Sequence, residues 1–181
     1  MSAAKEGEIR MHDDDKLTDA EYILVEGSAP HHYEMAGALF REYAAQLGVD
    51  LCFQDFSSEL NQLPVMYGAP TGCLLLVLRG DRPVGCGALR KLSDGVCEMK
   101  RLYIRSEARK LNLGRRVAER LVERAAALGY QAMRLDTLEQ MAPAQNLYRS
   151  LGFREIAAYY SSPWANSVYM ELSLTPGAPG A

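Results

Sequence analysis

Glu98-Met99-Lys100-Arg101-Leu102-Tyr103-Ile104 leads on to Arg109-Lys110-Leu111-Asn112-Leu113-Gly114-Arg115-Arg116, and the reading of this stretch decides the fold. A β-type run ends in a cationic turn containing a glycine, and the turn opens directly into an amphipathic helix. The first amides of a helix have no intrahelical acceptor and its dipole favours negative charge, so such a junction can hold a diphosphate. Gly114 has no Cβ and lets a phosphate approach the backbone. Arg109, Lys110, Arg115 and Arg116 add charge-assisted contacts. Neither Gly-x-x-x-x-Gly-Lys-Ser/Thr nor Gly-x-Gly-x-x-Gly occurs, which argues against a P-loop and against a Rossmann dinucleotide site.

Working outward, Val96 to Ile104 reads as the strand before this turn, and Ser93-Asp94-Gly95 as the hairpin turn joining it to a strand from Val84 to Leu92. Leu74 to Leu78 is a buried strand, with Arg79 to Pro83 as the turn between the two. Further upstream, Tyr22 to Glu26 is a first strand. Met35, Leu39, Tyr43 and Leu47 recur every fourth residue in a helix from His31 that ends at Gly48. His31 and His32 stand at its entry. A short helical segment runs from Ser57 to Leu63 and is stopped by Pro64. Downstream, Leu113, Val117, Leu121, Ala125 and Leu128 line one face of the helix after the cationic turn, and Gly129 ends it. A strand from Gln131 to Thr137, a helix from Pro143 to Leu151 capped by Gly152, and a strand from Ser167 to Leu174 complete the order.

At 181 residues with 48% apolar content the chain fits one domain with a sizeable core. The net charge of −3 argues against broad nucleic-acid binding. The positive charge is local: residues 100–116 hold seven Lys/Arg against the single acid Glu107, which suits a small polyanion. Cys52, Cys73, Cys86 and Cys97 lie in or beside apolar runs with no Cys-x-x-Cys spacing, and read as buried free thiols. No apolar run reaches membrane-spanning length and no signal peptide is evident, so the cytoplasm is the expected location. Residues 1–19 read as a solvated tail, 20–175 as the domain, and 176–181 as a disordered end.

Arg109-Lys110-Leu111-Asn112-Leu113-Gly114 resembles motif A of the GNAT superfamily of acetyl-CoA-dependent N-acetyltransferases, Arg/Gln-x-x-Gly-x-Gly/Ala. Asn112 stands where that family prefers glycine; asparagine is the best substitute at positive φ, so the turn is expected to persist. Ala144 to Phe153 resembles the closing motif, Ala-x-x-Leu-Tyr-x-x-x-Gly-Phe, although Met141 replaces an asparagine common seven residues before the tyrosine. The resemblance covers residues 20–175. It implies an α/β (α+β) fold with a mixed, mostly antiparallel sheet of six to seven strands and helices on both faces. It further implies acetyl-CoA as co-substrate, no metal, and a small-molecule or peptide amine as acceptor. Neither a nucleic acid nor a membrane is implied as a partner, and a homodimer is compatible with it. The pyrophosphate would lie on Arg109, Lys110, Leu111, Asn112, Leu113, Gly114 and Arg115. The pantetheine arm would pair with the edge at Leu102, Tyr103 and Ile104, where an amide would also meet the oxyanion.

Acyl transfer from a thioester to an amine requires an ammonium to lose its proton, donors for an oxyanion, and stabilisation of a leaving thiolate. Some family members carry a glutamate base eleven residues before the motif's first arginine, a place Glu98 occupies. Glu98 reads equally as a strand carboxylate paired to Lys100 on the same face. Tyr148, matching the closing motif, is the candidate acid for the thiolate; a packing tyrosine is the alternative. For the amine pocket the resemblance points to Phe53, Gln54, Asp55, Phe56 and Glu59 and to Tyr159–Trp164. There Asp50, Asp55 and Glu59 could attract a cation, and Tyr159, Tyr160 and Trp164 could supply aromatic walls; a solvated acidic face beside surface aromatics is the competing reading, and the sequence favours it. A non-catalytic acyl-CoA sensor is the competing function; it would keep the cationic turn and need neither Glu98 nor Tyr148.

Overall fold

A computed structural model describes residues 8–9, 22–48, 55–109, 111–162 and 164–174. The strands are β1 (Glu8–Ile9), β2 (Tyr22–Glu26), β3 (Cys73–Arg79), β4 (Arg82–Ser93), β5 (Val96–Ile104), β6 (Ala132–Leu138), β7 (Arg154–Ile156) and β8 (Ser167–Ser173). The helices are α1 (Pro30–Leu47), α2 (Phe56–Asn61), α3 (Leu63–Tyr67), α4 (Leu113–Ala127) and α5 (Ala142–Ser150). One sheet runs β1-β2-β3-β4-β5-β6-β8-β7, and every pairing in it is antiparallel except β5 with β6.

The apolar run of β3 explains the layering. A strand buried on both faces needs a core on each side. Leu74, Leu76 and Leu78 pack with Ala36, Leu39 and Phe40 of α1 and Leu63 and Tyr67 of α3. Cys73, Leu75 and Val77 pack on the opposite face with Leu113, Val117, Leu121 and Ala125 of α4. The helices therefore cover both faces of a mostly antiparallel sheet, as expected. Two short edge strands add to the expected ones: β7 beside β8, and β1 on β2 within the segment expected to be a tail.

Two local readings change. Pro64 does not end a helix but sits in the first turn of α3, where the missing N–H costs no intrahelical bond. His32 is buried, and its Nδ1 accepts the amides of Ser28 and Ala29 at 3.3 Å, so its helix-entry role is that of an acceptor for the preceding turn. Cys73, Cys86 and Cys97 are free and buried. Cys52 and most of the two tails lie outside the described residues. Among the described residues no helix is long and apolar enough to cross a membrane.

Candidate active site

The sheet splits in its middle. β5 and β6 pair in parallel only over Val96↔Ala132, Cys97↔Met133 and Glu98↔Arg134, after which β5 runs on with a free edge. A bulge shapes that edge: Cys86 pairs with Tyr103 and Ala88 with Lys100, so Arg101 and Leu102 together face Gly87. Arg101 adopts φ 58°, costly for a residue with a long side chain. Its guanidinium is held by a buried carboxylate of α2. Nε donates to Glu59 Oε1 at 2.9 Å, Nη2 donates to Oε2, and the charge lies 5.1 Å from the Phe56 ring centroid. Tyr67 donates its hydroxyl to the same carboxylate at 2.7 Å. Burial alone would raise the Glu59 carboxyl, but the Arg101 and Tyr67 hydrogen bonds and the Arg101 charge outweigh it and hold it below the usual range. Gly87 is needed at the bulge, since a Cβ there would stand 2.6 Å from Val117 Cγ1.

A groove of about 590 Å³ follows the free edge and is lined by Leu102, Tyr103, Ile104, Arg109, Gly114, Met141, Pro143 and Ala144, and also by Tyr43, Gln46, Leu47 and Gln140. The Arg105 amide donates to Val84 O on β4. Strand alternation therefore turns the amides and carbonyls of Ile104 and Leu102 toward the groove. One wall ends at the N-terminus of α4. Asn112 precedes that helix at φ 54°, the conformation expected of it, and accepts the first intrahelical bond from Arg116 N at 3.1 Å. The amides of Leu113, Gly114 and Arg115 thus lack intrahelical acceptors. An added Cβ on Gly114 would meet only Ile104 Cγ1, at 3.7 Å, so the space beside it is open.

Around this helix start, Leu113 is buried, Leu111 packs on the core and Arg109 is exposed. Arg109 donates to Ile104 O at 3.0 Å and to Gln46 Oε1 at 3.1 Å, and Gln46 donates to the Tyr103 hydroxyl at 2.6 Å. Arg115 donates to Ser150 Oγ at 2.6 Å. Lys110 lies outside the described residues. An extended apolar channel ending at unpartnered helix amides fits a pantetheine arm with a pyrophosphate at its end.

Where the strands part, a smaller cavity is lined by Met99, Lys100, Arg101 and Leu102 of β5, Asp136, Thr137 and Leu138 of β6, and Tyr148 of α5. Tyr43, Leu47, Met141, Ala144 and Trp164 complete its lining. Tyr148 is 8% exposed, its ring 5.8 Å from that of Phe153. Its hydroxyl makes no hydrogen bond among the described residues. Burial raises its pKa well above the ordinary phenol value, so it stays protonated at neutral pH.

Glu98 lines neither cavity. It is 1% exposed, and both of its oxygens are engaged: Arg90 Nε at 2.9 Å and Nη2 at 2.8 Å on Oε2, and the Tyr159 hydroxyl at 2.7 Å on Oε1. Lys100 makes its shortest ion pair with Asp136, 2.7 Å away across the split, and the expected pair with Glu98 is present as a long one, Nζ to Oε1 at 3.9 Å.

A family model described as "Acetyltransferase (GNAT) family" matches residues 35–153. The chain belongs to the GNAT acetyltransferase family. It is 41% identical over 140 residues to an uncharacterised N-acetyltransferase of Schizosaccharomyces pombe, covering 76% of this chain and 85% of that one. In fold it is similar to a GNAT-family acetyltransferase of Staphylococcus aureus, with TM-score 0.71, 17% identity, and 85% and 99% of the two chains covered. It is similar also to a Salmonella typhimurium protein described as an acetyltransferase and solved with its cofactor acetyl-CoA, with TM-score 0.60, 20% identity, and 87% and 98% covered.

In this GNAT chain the fold brings Leu102, Tyr103, Ile104, Arg109, Gly114 and Tyr148 to the split and sets Glu98 behind it. Glu59 does not offer a charge to an amine, because Arg101 and Tyr67 hold it; this corrects its expected part in the pocket. Asp55 is exposed, while Asp50, Phe53 and Gln54 lie outside the described residues. Sequence reasoning passed over Asp136, the carboxylate that lines the cavity, and Arg90, which holds Glu98. The register supplied a signal for Arg90: it directly faces Glu98 across the Ser93-Asp94-Gly95 hairpin.

Proposed function

We propose that this chain transfers an acetyl group from acetyl-CoA to a primary amine of a small molecule or peptide, by direct attack within a ternary complex. The observation that carries it is the convergence on one split of three features: the free β5 edge, the open N-terminus of α4 and a Tyr148 hydroxyl with no hydrogen-bond partner among the described residues. Acetyl-CoA, when bound, supplies the thioester carbonyl and the thiol that leaves. Gly114 and the first α4 amides hold the diphosphate, with Arg109 beside them. Leu102, whose amide faces the groove, donates to the oxygen on which negative charge develops. Tyr148 donates a hydrogen bond to the departing sulfur. Its raised pKa makes complete proton transfer uphill, so its contribution is to stabilise the thiolate; the proton that the amine nitrogen sheds as the C–N bond forms and the C–S bond breaks passes, directly or through solvent, to that thiolate, leaving amide and free thiol.

The amine enters neutral. Glu98 is shut away with three donors on its two oxygens, and this favours amines that lose their proton easily. At pH 7.5 an α-amine of pKa ~7.7–8.0 is roughly a third neutral, against about a thousandth for a lysine-like amine of pKa ~10.4. Peptide N-termini are therefore the acceptors to try first. Calorimetric titration with acetyl-CoA, followed by thiol release across a panel of amines graded by pKa, tests the reading. No binding at millimolar acetyl-CoA refutes it, and a preference for the most basic amines refutes the neutral entry.

A further inference from the structure

Two adjacent tyrosines hang from opposite sides of the split. Tyr159 donates its hydroxyl to Glu98 on β5 at 2.7 Å, and the Tyr160 phenol stands close enough to Asp136 on β6 to help hold that carboxyl below its usual range. Each carboxylate is fixed in turn by a cation of the sheet, Glu98 by Arg90 and Asp136 by Lys100. Consecutive residues of a strand would point to opposite faces. Here the segment between β7 and β8 has left the sheet, and both rings turn down onto it. The rings of Tyr159, Tyr160 and Tyr169 stand edge to face with centroids 5.2–5.4 Å apart. The Arg134 guanidinium lies 5.3 Å from the Tyr159 centroid, and Tyr169 donates to Tyr160 O at 3.2 Å. The same segment carries Trp164, which closes the cavity that Tyr148 and Leu102 also line.

We infer that Tyr159 and Tyr160 are positioning residues that fix the β7–β8 segment, and with it the Trp164 wall of the amine's approach, by anchoring it to one carboxylate on each side of the split. Glu98 and Asp136 are then the two anchor points. The arrangement requires the carboxylates to stay ionised and the phenols to stay protonated. Burial and the neighbouring Glu98 charge raise the Tyr159 phenol, and burial with the Asp136 charge raises that of Tyr160. The inference rests on the acetyl-transfer reading for the meaning of the wall, while the anchoring itself is independent of it.

Tyr159→Phe and Tyr160→Phe each remove one hydroxyl and keep the ring packing. Each is expected to raise the KM of the amine about tenfold, the order of one charge-assisted hydrogen bond. Acetyl-CoA affinity and kcat should stay within about threefold. Trp164 is the only tryptophan in the chain, so its fluorescence reports the wall without any turnover. In both variants the emission should move to longer wavelength, and acrylamide quenching should increase. If acetyl transfer were never observed, this optical change would still test the anchoring, so the two readings fail separately. Unchanged emission and unchanged amine KM in both variants overturn the inference. So does a large fall in kcat with a flattened alkaline limb in Tyr159→Phe, because that result would make Tyr159 a relay to a basic Glu98.

Discussion

Tyr148→Phe is the most direct test of the chemistry, because the structure separates its effect on catalysis from its effect on folding. The hydroxyl has no hydrogen-bond partner among the described residues, so its removal orphans no donor or acceptor there, and the ring keeps its place beside Phe153. The stability change should therefore stay within about 0.5 kcal/mol, a shift in Tm of roughly 2 °C or less. If the hydroxyl stabilises the departing sulfur, its loss should lower kcat by about 10²-fold, or ~2.7 kcal/mol of barrier. An interaction made only in the transition state lowers kcat and kcat/KM together, leaving the amine KM and the acetyl-CoA Kd unchanged. Thiol release measured with a chromogenic thiol reagent, beside a thermal melt and a calorimetric titration, resolves these quantities. The defect should also shrink with an acyl donor whose thiol is more acidic, since such a leaving group needs less help. Turnover within about threefold of the parent would refute the reasoning, and so would a loss of rate that follows a loss of acetyl-CoA affinity.

Gly114→Val should weaken acetyl-CoA binding at least tenfold by calorimetry while Tm holds or rises, because the added side chain fills the approach to the α4 amides without entering the core. Glu59→Gln should cost about 3–5 kcal/mol, since it leaves the buried Arg101 charge without its counter-charge, and should lower Tm by roughly 6–20 °C. The sign of its pH dependence follows from the lowered Glu59 pKa. The stabilisation is fully present above the unfolded value near ~4.3 and is lost as pH falls through the lower folded value, so parent and variant melts should converge only in acid.

Local signals carried much of this fold. The bounds of β5 follow from the Ser93-Asp94-Gly95 turn before it and the cationic turn after it, and α4 follows from the fourth-residue spacing that begins at Leu113. Asn112 could be assigned positive φ because few other side chains tolerate it, and it has it. What stayed hidden depends on contacts between distant residues. Arg101 takes a left-handed conformation that nothing in its identity announces, and its partner Glu59 lies 42 residues away. Lys100 has Glu98 two residues off, yet bonds Asp136 from a strand 36 residues on, because the parallel pairing of β5 and β6 brings that carboxylate closer. Alternation placed Glu98 and Lys100 on one face correctly. It could not show that Arg90 and Tyr159 would take up the Glu98 oxygens.

The extra residue in β5 also means that this strand is read in two frames. Up to Met99, odd-numbered residues face the core beneath α4; beyond Arg101, the even-numbered Leu102 and Ile104 face it, and Tyr103 joins the opposite core. Deleting Arg101 would restore a single frame and leave Leu102 and Ile104 on the face beneath α4; what would go is the bulge that shapes the free edge, together with the buried Arg101–Glu59 pair. Any graft of this strand from a relative must therefore place its junction by facing side rather than by residue count, and a one-residue gap aligned at Arg101 marks a relative whose strand runs in one frame, without the bulge.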